Sequence, residues 1–308
     1  MLITYRDMTS IYKTQKPLYP NLATSLELIK PITWFPPMWA FLCGAISTGA
    51  ISIDKLPLVC LGIFLAGPLV CGMSQAANDW CDRHVDAINE PERPIPSGRM
   101  PEKWGLGIAL LMSFLSLTVA WFLGTWGFIA TIFAVICAWI YSIEPFRFKK
   151  SGILGPLLVG FCYEGLPWFT GAAILSVGMP NQKTTLIAIL YALGAFGIMI
   201  LNDFKAIEGD KQTGVNSLPV SLGSEKAIKL ACICMIIPQL AVVWFLFYWD
   251  MIIFSVIIAV ASLFQMIAMS KLLKNPQLFA PWYNQTGITL YVLGMMVSAV
   301  GLGFYSNP

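Results

Sequence analysis

Residues 56–86 read LPLVCLGIFLAGPLVCGMSQAANDWCDRHVD, an apolar run that leads directly into a cluster of acidic residues. The apolar part, near 56–77, is about as long as the roughly 20 residues that a helix needs to cross a bilayer. The segment 75–99 then holds five of the sixteen acidic residues of the chain and its only histidine. This stretch predicts a membrane helix that ends in a polar, functional segment.

Apolar runs of similar length recur along the whole chain. Hydrophobic residues make up 57% of the 308 residues, charged residues make up 11%, and the mean hydropathy is +0.72. These values are far from those of soluble domains. The runs lack the alternation of membrane β-strands, so we predict an all-α integral membrane bundle. It has nine predicted transmembrane helices, near 33–53, 56–77, 105–123, 126–143, 153–176, 184–201, 228–248, 251–270 and 286–305.

The basic residues are distributed unevenly between the predicted loops. Seventeen of the nineteen lysines and arginines lie in the N-terminal arm or after even-numbered spans, and the exceptions are Lys55 and Lys183. By the positive-inside rule, the N-terminus and the even-numbered exits are cytoplasmic and the C-terminus lies outside. The arm lacks the short apolar core of a cleavable signal peptide. We predict a cytoplasmic arm over 1–31 and a single transmembrane domain over 32–308.

Two polar loops begin with the same pair of residues. Asn78-Asp79 ends span 2, Asn202-Asp203 ends span 6, and a second aspartate follows each first one by seven positions, at 86 and 210. Two pseudo-repeated four-helix units plus one helix would explain this similarity between the two loops, although a chance match is the alternative. If the units are repeated, the two acidic helix ends face each other across a pseudo-twofold axis.

Asp79, Asp82 and Asp86 fall at spacings that share one helix face. Three neighbouring carboxylates repel each other, so this arrangement calls for a cation. Oxygen ligands without a cysteine or histidine pair favour Mg²⁺ or Ca²⁺ over zinc. Cationic side chains suited to phosphate are interleaved with the acids, and the candidates are Arg83, Arg93, Lys205 and Lys211. The alternative is a solvated loop in which acids and bases only pair with one another.

Several segments resemble one protein family, the UbiA superfamily of intramembrane aromatic prenyltransferases. They read NDWCDRHVDAINEPERPIPSG (78–98), YSIEPFRFKKSG (141–152), CYEGLPWFTGA (162–172) and LNDFKAIEGDKQTGVNSLPVSLG (201–223). ITWFPPMWAFLCG (32–44) and PWYNQTGITLYVLGMMV (281–297) extend the resemblance to nearly the whole chain. The segments are most similar to the branch of chlorophyll and bacteriochlorophyll synthases, and within it to the latter. The resemblance implies the nine-helix UbiA-type bundle.

The resemblance also implies an activity. A C20 prenyl group, geranylgeranyl or phytyl, would pass from its diphosphate to the propionate carboxylate of bacteriochlorophyllide, the last step of bacteriochlorophyll synthesis. The alternatives are action on chlorophyllide, a quinone or aromatic prenyltransferase of the same superfamily, and, outside enzymes, a multi-pass transporter. The expected surroundings are the lipid bilayer of the cell inner membrane, cytoplasmic or intracytoplasmic and photosynthetic. Pigment-pathway or photosystem-assembly proteins are possible partners under this reading, and nucleic acid is not.

The resemblance assigns roles to particular residues. Mg²⁺ would be held by Asp79, Asp82, Asp203 and Asp210, with Asp86 beside them as a catalytic carboxylate. The substrates would contact Asn78, Arg83, Arg93, Asn202, Lys205, Lys211, Tyr141 and Glu164. One position departs from the family: Ala206 stands where the second motif, DxxxD, has its first aspartate. Asp203, one turn earlier, and Glu208 are the remaining acids, and which of them replaces that ligand stays open.

Glu164 lies inside predicted span 5. An ionised carboxylate in lipid costs several kcal/mol, so such a residue faces a cavity or a partner. We predict that Glu164 lines the cavity or contacts a polar substituent of the macrocycle. The propionate of the acceptor, with a pKa of about 4.3, is already an anion at neutral pH, so no general base is needed.

Overall fold

The structure, a computed structural model, describes residues 17–306. Most of the predicted arm over 1–31 therefore lies outside the described residues, with its cationic residues Arg6, Lys13 and Lys16. Residues 17–306 form helices joined by short loops, and their only β-type pairing is an isolated bridge between Ser151 and Asn216. The predicted all-α fold class is confirmed for this part of the chain.

Twelve helical segments follow one another in residues 17–306. They are α1 Leu22–Ile29, α2 Phe35–Ser47, α3 Ile53–Asn89, α4 Glu102–Phe122, α5 Thr125–Ser142, α6 Leu154–Ser176, α7 Gln182–Asp203, α8 Ile207–Thr213, α9 Leu218–Leu222, α10 Ser224–Tyr248, α11 Ile252–Lys274 and α12 Pro276–Ser306. Eight of them, α3 to α7 and α10 to α12, are long and apolar enough to cross a membrane. The shorter apolar helix α2, with 13 residues, completes a set that matches the nine predicted spans.

The helix ends differ from the predicted spans in two informative places. Helix α2 ends at Ser47, before the predicted end at 53, and Gly49 follows with φ 66°, a left-handed conformation that glycine adopts without strain. Helix α3 continues beyond 77 to Asn89, so the acidic segment is part of the same helix. Hydropathy indicates where a helix leaves the lipid, but it does not show whether the helix continues as a polar helix beyond that point.

Helices α2 and α6 pack along each other at backbone distance. A Cβ atom at Gly44 would collide with the carbonyl oxygen of Trp168, and one at Gly171 would collide with the carbonyl oxygen of Phe41. Small residues allow this close approach, which is a common way to pack membrane helices. The contact fixes α2 and α6 relative to each other, and both helices contribute to the cavity described below.

Two of the long helices contain π-helical segments. In α3 the segment is Leu65–Cys71, which contains Pro68, and in α6 it is Phe161–Gly165. A π-segment inserts an extra residue into the turn and is often found at functional sites. Proline lacks the backbone N–H that an α-helix would use, which favours an irregular turn at Pro68.

Candidate active site

A cavity of about 720 Å³ lies between α2, α3, α5, α6, α7 and α12. This volume is typical of small-molecule sites. Asn78 from the end of α3 and Asn202 from the end of α7 both line it, so the two polar helix ends reach one cavity. Phe35 and Leu293 also line it, although their side chains are 51% and 49% exposed. The cavity therefore extends to the outer, apolar surface of the bundle.

The first acidic cluster consists of Asp79, Asp82 and Asp86 on the last turns of α3. Because α3 is continuous to Asn89, the three side chains share one face, as their spacing predicts. All three are buried, with exposed fractions of 1%, 9% and 7%. Buried carboxylates need compensating cations, and the structure supplies them from three other segments of the chain.

Arg93 bridges two of these carboxylates. Its guanidinium lies 3.2 Å from Asp79 and 2.8 Å from Asp86, and it also pairs with Glu90. Burial alone would lower the pKa of Arg93, but the neighbouring carboxylates outweigh it and the pKa is raised. Lys30 adds a second cation to Asp79 at 2.7 Å. The other oxygen of Asp79, Oδ2, is buried without a hydrogen-bond partner among residues 17–306.

Asp82 is paired with two cations of the loop between α5 and α6. Arg147 lies 3.0 Å from Asp82, and Lys149 contacts the other carboxylate oxygen. Burial lowers the pKa of Lys149, and the charge of Asp82 offsets part of this effect. Residue 147 has φ 37°, so a left-handed turn of this loop carries the pair back to α3. Sequence reasoning assigned no role to Lys30, Arg147 or Lys149. The signal in the sequence was the cationic run FRFKK (146–150), which was predicted to lie on the same side of the membrane as the acidic residues.

The second acidic cluster consists of Asp203 at the end of α7 and Asp210 on α8. Neither forms an ion pair in the part of the chain that the structure describes. Burial raises the pKa of Asp210, and a hydrogen bond from Ser217 opposes the shift. The hydroxyl of Tyr141, which lines the cavity, experiences the charges of Asp203, Asp82 and Asp210. Tyr141 therefore lies near both clusters.

The arrangement of these acids was compared with what a divalent cation requires. Within residues 17–306, no three His, Cys, Asp or Glu side chains converge as ligands for one ion, so the four predicted ligands are not preassembled. Mg²⁺ commonly takes only one or two carboxylates, with water and phosphate oxygens at its other positions. The carboxylates follow two asparagines that line one cavity, and one carboxylate has an unpaired oxygen, an arrangement that fits that requirement.

Arg83 does not reach this cavity. Its guanidinium lies 4.4 Å from the ring centroid of Trp80 and pairs with Glu102. It lines a separate cavity on the other side of α3, together with His84. The helical spacing explains this placement, because residue 83 follows Asp82 by about 100° around the helix axis.

The two predicted cations of the second loop lie on the surface. Lys205 is exposed, and Lys211 is exposed and pairs with Glu208 at 3.3 Å. The structure therefore places them near the second acidic cluster but outside the cavity wall. Arg93, in contrast, lies directly on the first cluster.

The asparagines of the two helix ends are held by neighbouring side chains. Asn78 donates a hydrogen bond to Ser142 at 2.9 Å, and Asn202 accepts one from Asn284 at 3.0 Å. Both anchoring residues come from other helices, so the amide groups have defined positions at the cavity wall. Glu164 lines the same cavity from α6, as predicted for a buried carboxyl inside a span.

The chain is similar to known proteins over most of its length. The model of the UbiA prenyltransferase family matches residues 33–283. This chain belongs to the UbiA prenyltransferase family. It is 61% identical to the bacteriochlorophyll synthase 33 kDa chain of Cereibacter sphaeroides, over 92% of this chain and 94% of that one. Its identity to the chloroplastic chlorophyll synthase of Oryza sativa subsp. japonica is 33%, over 89% of this chain and 75% of that protein.

The fold agrees with this assignment. A UbiA homolog from Archaeoglobus fulgidus, solved bound to DMAPP and Mg²⁺, superposes with a TM-score of 0.68 at 19% identity. The match covers 89% of this chain and 99% of that protein. The predicted UbiA-type bundle is confirmed, and the chain is a multi-pass membrane prenyltransferase. The predicted similarity to the bacteriochlorophyll synthase branch is confirmed as well.

Proposed function

We propose that this prenyltransferase esterifies the propionate of bacteriochlorophyllide with a C20 prenyl group and releases diphosphate. The observation that carries the proposal is an apolar cavity, open toward the lipid-facing surface, with acidic helix ends at Asn78 and Asn202. A prenyl diphosphate has this same division between an anionic head and a hydrocarbon tail. The higher identity to a bacteriochlorophyll synthase than to a chlorophyll synthase supports the choice of acceptor.

Mg²⁺ would be held by Asp79 and Asp82 on one side and by Asp203 and Asp210 on the other, with Asp86 supporting the first pair. When bound, the metal neutralises charge on the diphosphate leaving group. Four cations of the chain pair with the carboxylates of the first side. In this proposal the same cations would also pair with phosphate oxygens of the diphosphate, since arginine and lysine side chains suit phosphate. They are Lys30, Arg93, Arg147 and Lys149.

The reaction forms one bond and breaks one. A propionate oxygen attacks C1 of the prenyl group, and the bond between C1 and the diphosphate oxygen breaks with its electrons on diphosphate. No proton moves, because the carboxylate is already ionised at neutral pH. Positive charge on the allylic carbons is stabilised by the faces of Phe35 and Tyr141, which line the cavity. Trp168, in contrast, is fully buried and stacks on Tyr191.

The substrate-binding roles of Asn78 and Asn202 remain proposals, in which each amide orients a phosphate oxygen or a metal ligand. Their fixed positions support this role, because an anchored amide loses little freedom on binding. We also propose that the N-terminus is cytoplasmic and that the membrane is the inner or intracytoplasmic photosynthetic membrane. Pigment-pathway or photosystem-assembly proteins are the proposed neighbours there.

The test uses the purified protein in detergent, with Mg²⁺, geranylgeranyl diphosphate and either bacteriochlorophyllide a or chlorophyllide a. We expect ester formation with a preference for bacteriochlorophyllide. A micelle has no second compartment, so product formation also separates an enzyme from a transporter. Preference for chlorophyllide would overturn the choice of acceptor, and absence of ester with either would overturn the proposed reaction.

The proposed metal site is tested by substitution. We expect Asp82→Ala and Asp210→Ala to remove at least 99% of the activity, because each would remove a metal carboxylate. Glu225→Gln is the control, since Glu225 is exposed and, within residues 17–306, forms one ion pair, with Lys229 on the surface. Retained turnover in both aspartate variants would refute the assigned site.

A further inference from the structure

The π-segment of α6 directs three consecutive side chains toward the cavity. Cys162, Tyr163 and Glu164 all line it. In a regular α-helix, consecutive side chains are about 100° apart, so three of them spread over more than half of the circumference. The wider turn of a π-segment brings them closer to one face, and such segments recur at functional sites.

The π-segment of α3 meets this wall from the opposite side. Cys71 is the last residue of that segment, and its Sγ lies 3.4 Å from the hydroxyl oxygen of Tyr163. Gln75, one turn later, donates a hydrogen bond to the same oxygen at 3.0 Å. The Tyr163 hydroxyl accepts from Gln75, while the single proton of Cys71 is shared between the Thr33 carbonyl and this hydroxyl. A thiol sulfur is a weak acceptor, so the Tyr163 proton has no strong acceptor within residues 17–306 and can donate to a ligand in the cavity.

Glu164 is the second polar group of this wall. Its side chain is 7% exposed, it forms no ion pair within residues 17–306, and its Oε2 atom has no hydrogen-bond partner there. It lies ten residues beyond the start of α6, which is about 15 Å along the helix. An unpaired carboxylate in such surroundings is strongly disfavoured, whereas a neutral carboxyl group offers one O–H donor. The wall thus presents two donors on consecutive residues of α6.

These two donors discriminate between the substrates of the proposed reaction. The prenyl chain is a hydrocarbon, so it would leave both donors unpaired, which is costly in a buried site. The macrocycle of a chlorophyllide carries carbonyl oxygens on its periphery, which accept hydrogen bonds. We propose that Tyr163 and Glu164 form a polar subsite that donates hydrogen bonds to a ring carbonyl of the macrocycle. This inference rests on the proposed function, and it assigns this wall of the cavity to the acceptor.

The experiment measures KM for each substrate separately in Tyr163→Phe and Glu164→Leu. We expect each variant to raise the KM for bacteriochlorophyllide a by roughly fivefold to tenfold, as for the loss of one hydrogen bond. The KM for geranylgeranyl diphosphate should stay within twofold. Glu164→Gln keeps an N–H donor at the same place, so it should raise the KM for bacteriochlorophyllide a less than Glu164→Leu does.

Tyr283→Phe is the matched control. Tyr283 is fully buried and its hydroxyl has no partner among residues 17–306, but it does not line the cavity. We expect both KM values to be unchanged in this variant. If Glu164→Leu does not fold, Tyr163→Phe still decides the question.

Two results would overturn the subsite. One is a KM for the acceptor that stays within twofold in Tyr163→Phe and Glu164→Leu. The other is an equal rise of both KM values, which would assign the wall to the prenyl chain. Equilibrium binding of bacteriochlorophyllide a, followed by its absorption spectrum without prenyl diphosphate, keeps this test independent of turnover. A wild-type protein that binds the pigment through this wall but forms no ester would refute the proposed reaction and leave the subsite standing.

Discussion

Substitution of Arg93 by methionine removes the cation that joins two buried carboxylates. Asp79 retains Lys30, at 2.7 Å, whereas Asp86 loses the only ion pair that it forms within residues 17–306. Removal of one partner from a buried pair typically costs about 3–5 kcal/mol. Because the Arg93 side chain is 26% exposed, we take the lower end and expect Arg93→Met to reduce the unfolding free energy by about 3 kcal/mol.

The same substitution should make stability depend on Mg²⁺. A divalent cation at the first acidic cluster would replace the missing positive charge, and a ligand that binds only the folded state raises its stability. The assay is thermal unfolding in detergent, followed by the fluorescence of the eleven tryptophans, with and without excess Mg²⁺. Without Mg²⁺, we expect the unfolding midpoint of Arg93→Met to lie several degrees below that of the wild type. Added Mg²⁺ should raise the midpoint of Arg93→Met by more than it raises the midpoint of the wild type.

Lys229→Met is the control for the loss of one positive charge. Lys229 pairs with Glu225 on an exposed helix surface, so its substitution should leave the midpoint unchanged. If Arg93→Met unfolds at the wild-type temperature, or if Mg²⁺ stabilises both proteins equally, Arg93 does not neutralise the acidic face in the way argued.

Three further predictions concern packing, pH and the metal. Gly44→Ala forces a methyl group against the carbonyl of Trp168 and should destabilise the protein by about 1–3 kcal/mol in unfolding assays, whereas Gly107→Ala, which has open space, should not. The hydrogen bond from Arg99 lowers the pKa of Glu27 in the folded protein, so this contact stabilises α1 fully above the unfolded pKa of about 4.3. The stabilisation is lost as the pH falls through the lower pKa of the folded state, and amide exchange in α1 should then accelerate. Chelation of divalent ions should stop ester formation, and added Mg²⁺ should restore it.

Much of the fold could be predicted from the sequence because lipid imposes a simple length and polarity rule. The nine predicted spans correspond to α2 to α7 and α10 to α12, and the spacing of Asp79, Asp82 and Asp86 gave their shared face. Apolar length and helical periodicity are local properties, so a single sequence displays them directly.

The ion pairs of the acidic face were beyond this kind of reasoning. Arg147 and Lys149 contact Asp82 across 65 and 67 residues of sequence, and the contact depends on how α3 and α5 pack. Arg83 shows the converse, since it is interleaved with the acids in sequence yet points to another cavity. Adjacency along a helix places side chains on different faces, and only the folded bundle decides which face meets the site.

The internal repeat stays a prediction. Asn78 and Asn202 line one cavity, as two related units would place them, but their partners differ: Asn78 bonds to Ser142 of α5 and Asn202 to Asn284 of α12. The two helix ends are thus held by unlike neighbours. In the predicted repeat, α12 is the added helix without a counterpart in the first unit, and it supplies the partner of Asn202.

The π-segment in α6 divides this helix into two parts with independent rotational phase. Deletion of one residue within Phe161–Gly165 would rotate one part by about 100° relative to the other. Only one of the two parts could then keep its present packing in the bundle. A gain or loss of one residue at this point can therefore reorient the cavity wall while the helix remains continuous. Relatives with other acceptors could differ in this way with few changes elsewhere in the bundle.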